Sequence, residues 1–164
     1  MDIDRVIHEL KSAPANTKLY LGADSVRFER KKERTAWAQI TTVAVIHLAG
    51  RHGCKVVGSN EIEQVFDKNL GRPQYRMMQE AYKLTELYLE LTERMFQDED
   101  LIDIPIEVHL DISKRKIHGS SCAAKQAAGY VMAMCGIEPV MKPVAWAAST
   151  AADLYNKKLG DKSE

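Results

Sequence analysis

Four acidic residues stand where carboxylates can do chemistry: Asp24, Glu80, Asp111 and Asp153. Asp24 follows Leu19, Leu21 and Ala23, and Asp111 follows Val108 and Leu110, which puts each at the C-terminal end of a predicted strand. Neighbouring strands lie about 4.8 Å apart, so two such carboxylates on parallel neighbours come within reach of one divalent ion. Asp153 lies among Ala147, Ala148, Ala151 and Ala152, small residues that let a helix approach a sheet closely. Glu80 belongs to a long helical pattern, beside Met77, Met78 and Ala81 on its packed side. Oxygen donors of this kind suit Mg2+ or Mn2+, and two ions about 4 Å apart can clamp the attacking and leaving oxygens of a phosphodiester. Without cations, four converging carboxylates would repel one another and raise each other's pKa values.

Each acid also has a plainer reading. Asp24 followed by Ser25 suits a strand-ending turn, Asp153 has Lys157 four residues on, and Glu80 has Arg76 four residues before it, the spacing of ordinary helical ion pairs. Asp111 is the hardest to dismiss, because it ends an alternating strand directly before a basic loop.

Other polar side chains gather around these positions. His109 shares a strand face with Asp111 about 6.7 Å further back, where it can orient a carboxylate or move a proton, although a histidine held by hydrogen bonds beneath a helix is the commoner case. Lys114, Arg115 and Lys116 follow Asp111 directly, His118 comes next, and Lys142 precedes Pro143 on a short strand. With Ser25 beside Asp24, these are the predicted substrate contacts: the cations can meet phosphate oxygens, His118 can approach a leaving group, and Lys142 can offset the acids' charge. Arg27, Arg30, Lys31, Lys32 and Arg34 form a second basic run. Trp37 and Trp146 can stack bases, although packing in the interior is the commoner fate of such rings.

The elements that must position these residues are read from periodicity. A short leading helix over 4–11 precedes a strand over 18–25, a charged turn over 27–34, a β-branched strand over 35–48 and a third strand over 54–59. Short turns make these three an antiparallel meander. A long helix over 75–96, the cleanly alternating strand 104–113, a small-residue helix over 120–135 ended by Gly136, a short strand over 137–143 and a last helix over 149–158 complete the order. A meander followed by alternating helices and strands predicts an α/β fold, a five-stranded mixed sheet with helices on both faces.

The chain's 164 residues, 45% of them hydrophobic, suit one domain over 1–164, with 1–15 as its leading segment and 160–164 as a disordered tail. Lysine plus arginine and aspartate plus glutamate both total 23, so a globally basic nucleic-acid binder is excluded and any polyanion site must be local. No apolar run reaches the roughly 18 residues that cross a bilayer. The first five residues lack an apolar signal core, and Cys54, Cys122 and Cys135 have neither zinc nor disulfide spacing, which predicts reduced thiols and a cytoplasmic location.

Gly22-Ala23-Asp24-Ser25, then Arg76 and Glu80, then Glu107-Val108-His109-Leu110-Asp111-Ile112, Gly129-Tyr130-Val131, Lys142-Pro143 and Ala151-Ala152-Asp153, in this order, resemble the YkuK-type ribonuclease H-like proteins. The resemblance runs from about Leu19 to Tyr155. It implies a ribonuclease H-like fold whose active members hold two divalent ions with acids from the first strand, the first long helix, the fourth strand and the last helix, here Asp24, Glu80, Asp111 and Asp153. The activity so implied is hydrolysis of phosphodiester bonds in DNA, RNA or a hybrid with Mg2+ or Mn2+. The alternative is a catalytically silent module of the same fold that binds nucleic acid or a protein partner. A nucleotide-hydrolysing domain of the actin-like superfamily would need two such domains and glycine-rich phosphate loops, which this sequence lacks.

Overall fold

A computed structural model describes residues 1–30, 35–50, 52–67, 69–115 and 117–155. The predicted contacts Lys31, Lys32, Arg34 and Lys116, the ion-pair partner Lys157 and the tail 160–164 lie outside these residues. Chain order is α1 (Ile3–Lys11), β1 (Lys18–Arg30), β2 (Thr35–His47), β3 (Cys54–Gln64), α2 (Gln74–Met95), β4 (Ile106–Ser113), a 3-10 turn (Gly119–Cys122), α3 (Ala124–Cys135), β5 (Val140–Lys142) and a closing π-helical turn (Ala147–Ala151). The last turn continues as α-helix over 152–155. The strands form one sheet in the order β3-β2-β1-β4-β5, antiparallel from β3 to β1 and parallel from β1 through β4 to β5. This is the predicted mixed sheet.

Side-chain alternation gives the sheet two distinct faces. Leu19, Leu21 and Ala23 of β1 and Val108, Leu110 and Ile112 of β4 pack on Leu84, Leu87 and Leu91 of α2 and Ala127 and Val131 of α3. The largest of these side chains each contribute about 1.5–3 kcal/mol through burial. On the other face, Tyr20, Val43 and Val45 pack on Ala147, Ala151 and Ala152. The start of α2 is held from outside the helix, because the Asp67 carboxylate accepts the N–H groups of Tyr75 at 2.7 Å and Arg76 at 3.0 Å. Gly136, at φ 70°, ends α3 in the left-handed conformation expected of a terminal glycine.

Several boundaries differ from the sequence reading. β1 does not stop at Ser25 but pairs with β2 as far as Arg30 opposite Thr35, so Asp24 is mid-strand and the charged run from Arg27 begins inside the sheet. An ion pair between Arg27 and Glu29, 3.1 Å apart, replaces the alternation of apolar residues that marks the earlier part of the strand. β3 likewise runs on to Gln64, with Lys83 of α2 pairing both Glu61 and Glu63. β4 starts at Ile106 rather than Ile104, because Pro105 has no N–H to give; its carbonyl accepts the N–H of Leu19 instead. The small-residue helix is split at Ala123 into a 3-10 turn and α3, β5 keeps only three residues, and the closing turn starts before Ser149.

That closing turn reaches the sheet only because Gly22 lacks a side chain. A Cβ at Gly22 would lie 2.6 Å from the Ala148 backbone nitrogen and closer still to the Ala147 backbone. Gly22→Ala must therefore push the turn off the sheet, and we expect a loss of about 1–3 kcal/mol in a denaturant melt. An unchanged melt would mean that this packing is loose.

Candidate functional site

The β1–β4 ladder ends with Ala23 beside Leu110, so Asp24 and Asp111 come next on two adjacent parallel strands. Both alternate onto the face covered by the closing turn, the face of Tyr20 and Gly22 on β1 and of His109 on β4. Ser25, one residue on, turns to the α2 face and is only 5% exposed.

There Ser25 Oγ donates to Glu80 Oε1, while Arg76 Nη1 donates to both the carbonyl oxygen and Oγ of Ser25, the latter at 2.9 Å. Arg76 thus supports Glu80 through Ser25 as well as by direct charge. Glu80 is 1% exposed, and among the described residues its Oε2 has no hydrogen-bond partner. Burial, above all, pushes the Glu80 carboxyl well above its ordinary value; the charges of Asp24 and Asp111 add to this, while Ser25 and Arg76 oppose it. Burial raises Asp24 too, reinforced by Asp111 and Asp153 and opposed by the Ser25 backbone and Arg76. Asp24 therefore feels the acids of β4 and the C-terminal helical turn, and Glu80 feels those of β1 and β4.

Asp111 carries one oxygen of each kind. Its Oδ2 pairs with Lys142 Nζ at 2.8 Å, and its Oδ1 is buried without a hydrogen-bond partner among the described residues. Among the described residues, no three His, Cys, Asp or Glu side chains form a group that could hold a metal ion as they stand. The donor chemistry nevertheless suits a hard divalent cation: the groups are carboxylates, and among the described residues Glu80 Oε2, approaching from the α2 face, and Asp111 Oδ1 are buried with no hydrogen-bond partner.

His109 is 1% exposed beneath the closing turn. Its Nδ1 accepts the N–H of Ala147 at 3.1 Å, Glu107 lies 3.4 Å from Nε2, and the rings of Tyr20 and Trp146 pack edgewise on it. Burial lowers its pKa, against the pull of Glu107. A neutral ring accepting at Nδ1 anchors the segment that carries Asp153. Of the two tryptophans, Trp146 leans on Tyr20 with ring centroids 4.8 Å apart, and Trp37 donates Nε1–H to Thr35 Oγ1 at 2.7 Å.

The predicted substrate contacts separate into two groups. Lys114, Arg115, His118 and Lys142 line one cleft of about 560 Å³ beside Asp111, whereas Ser25 is committed to Glu80 and Arg76 on the opposite sheet face. Ser113, Ser120 and Ser149 also line the cleft, and the sequence reading missed them. Serines in loops are too common to signal a site, but two so close to a basic run after a strand end were the available clue.

Comparison with curated proteins and with solved structures yields no match. The acids on the first strand, the long helix, the fourth strand and the C-terminal turn lie in a sheet of order 3-2-1-4-5, and a family model described as ribonuclease H-like matches residues 2–157, nearly the whole of that architecture. By that match, the chain belongs to the ribonuclease H-like proteins of the YkuK family.

Proposed function

We propose that this protein hydrolyses phosphodiester bonds in nucleic acid, with divalent cations held by Asp24, Glu80, Asp111 and Asp153. The observation that carries the reading is that, among the described residues, Glu80 Oε2 and Asp111 Oδ1 are buried without a hydrogen-bond partner, with the charge of Asp111 adding to the rise at Glu80. Leaving such acceptors unsatisfied costs about 1–3 kcal/mol each, which a bound cation would offset. Bound there, Mg2+ or Mn2+, two ions in the full assembly, supplies Lewis-acid stabilisation of negative charge on phosphoryl oxygens. The chain's own residues do the rest. Ser25 and Arg76 hold the Glu80 carboxylate, the paired strands hold Asp24 and Asp111, and His109 anchors the turn that bears Asp153. Lys114, Arg115 and His118 receive the phosphates of the strand. With its three cysteines free, we place the protein in the cytoplasm.

The test is incubation of the purified protein with single-stranded and duplex DNA, RNA and a hybrid, with Mg2+ or Mn2+. Cleavage that chelation abolishes is expected, and failure to cut any of these substrates overturns the reading. One observation favours a second reading, a silent module that binds nucleic acid or a protein partner: the Lys142 ammonium already occupies Asp111 Oδ2. Calorimetry separates the two, since a silent module should show no Mg2+ or Mn2+ heat that disappears in Asp111→Asn.

A further inference from the structure

Lys142 stands on the boundary between two opposite fields. On one side its ammonium pairs with Asp111 at the acid cluster; on the other its side chain walls the cleft with Lys114, Arg115 and His118. Among the described residues lining that cleft none is acidic. The serines there brace the backbone and do not offset the cations: the N–H of Ser113 donates to Ser120 Oγ at 3.2 Å, and the N–H of Arg115 donates to Ser113 Oγ at 3.1 Å. The concavity is thus built for an anion. Lys142 is 43% exposed on a flexible four-carbon stem, free to change partner, whereas Asp111 is 17% exposed on a paired strand.

We propose that the cleft seats a phosphodiester group of a nucleic-acid strand and that Lys142 exchanges Asp111 for that phosphate, so that phosphate binding and divalent-cation binding at the acids favour each other. The proposal rests on the metal-site reading above. With the cleft empty, the ammonium covers one Asp111 oxygen and repels an incoming cation. A phosphate draws the ammonium away and exposes that oxygen beside the partnerless one. Linkage makes the effect reciprocal: whatever factor phosphate adds to cation affinity, the cation adds to phosphate affinity.

Manganese titration followed by the paramagnetic resonance of free Mn2+ tests this on wild type, Lys142→Met and Lys142→Gln, each with no addition, with dimethyl phosphate and with a short DNA oligonucleotide. For wild type we expect Mn2+ affinity to rise about fivefold or more in the presence of the diester. Both variants should bind Mn2+ more tightly than wild type without it and gain nothing further from it. A gain from the oligonucleotide but not from dimethyl phosphate supports the coupling and shows that the seat needs a strand; a gain from dimethyl phosphate alone overturns the assignment to a strand. Equal Mn2+ affinity in wild type and both variants overturns the exchange while leaving the metal site standing. Absence of Mn2+ binding in all three overturns the metal site as well.

Discussion

Asparagine at Asp24 or at Asp111 is expected to leave a folded protein that cuts phosphodiesters at least about 10³-fold more slowly than wild type, since losing one preorganised charge-stabilising group typically costs 10²–10³ and groups acting as a unit cost more. Each substitution replaces a carboxylate with a near-isostere, so packing against the closing turn is kept. Stability should not fall with activity. At Asp24 the amide removes a charge that burial and the neighbouring Asp111 and Asp153 all disfavour. At Asp111 it loosens an ion pair whose Lys142 end is 43% exposed, and solvent screening at that end keeps such a pair near the value of exposed pairs, about 1 kcal/mol. Cleavage of a labelled oligonucleotide and a thermal melt on the same preparations check both halves. A variant that still cuts within a few-fold of wild type removes that acid from the chemistry, and one that fails to fold makes it structural.

Glu80→Gln is expected to raise the melting temperature of the metal-free protein at neutral and mildly alkaline pH and to abolish cleavage. The folded-state pKa of Glu80 is raised above its ordinary value of 4.5, so the native state keeps a proton that the unfolded chain has already released. Stability from this group is therefore complete below about pH 4.5 and is lost as pH rises toward the folded pKa. Glutamine stays neutral and can still accept from Ser25 Oγ, so the variant lacks that decline. Each kcal/mol relieved should appear as about 2–4 °C in the melt of a chain this size. The gap between variant and wild type should widen from acid to neutral pH, and added Mg2+ should narrow it by stabilising wild type alone. Parallel melting curves across pH would show that Glu80 is not a strained carboxylate.

Much of the architecture was readable from residue order. The alternation of Ile106, Val108, Leu110 and Ile112 with Glu107, His109 and Asp111 states which side of β4 faces the main core, and the structure keeps that division, although it also buries His109 of the other side beneath the closing turn. The apolar spacing from Met78 to Met95 states the packed side of α2, including the unusual inclusion of Glu80. Less readable were the ends of elements. β1 runs through a charged stretch because its ladder with β2 supplies hydrogen bonds that no local propensity reports, so the sequence reading stopped it five residues short. The closing turn begins early because it docks on bare Gly22, a contact with backbone atoms that hydropathy cannot encode.

Taken alone, the sequence determined the order of the strands and helices and the family resemblance, and it put forward four candidate acids, since these depend on each residue's own type and its spacing from near neighbours. Only the tertiary structure decided what each acid meets. Ser25 and Glu80 are 55 residues apart and join because β1 and α2 pack across one sheet face. Lys142 reaches Asp111 because β5 lies beside β4 with a shift in register, and His109 is claimed by the Ala147 N–H when the closing turn settles on the sheet. Partners of this kind follow from register and close packing between distant segments, and periodicity carries information only about the face a residue presents.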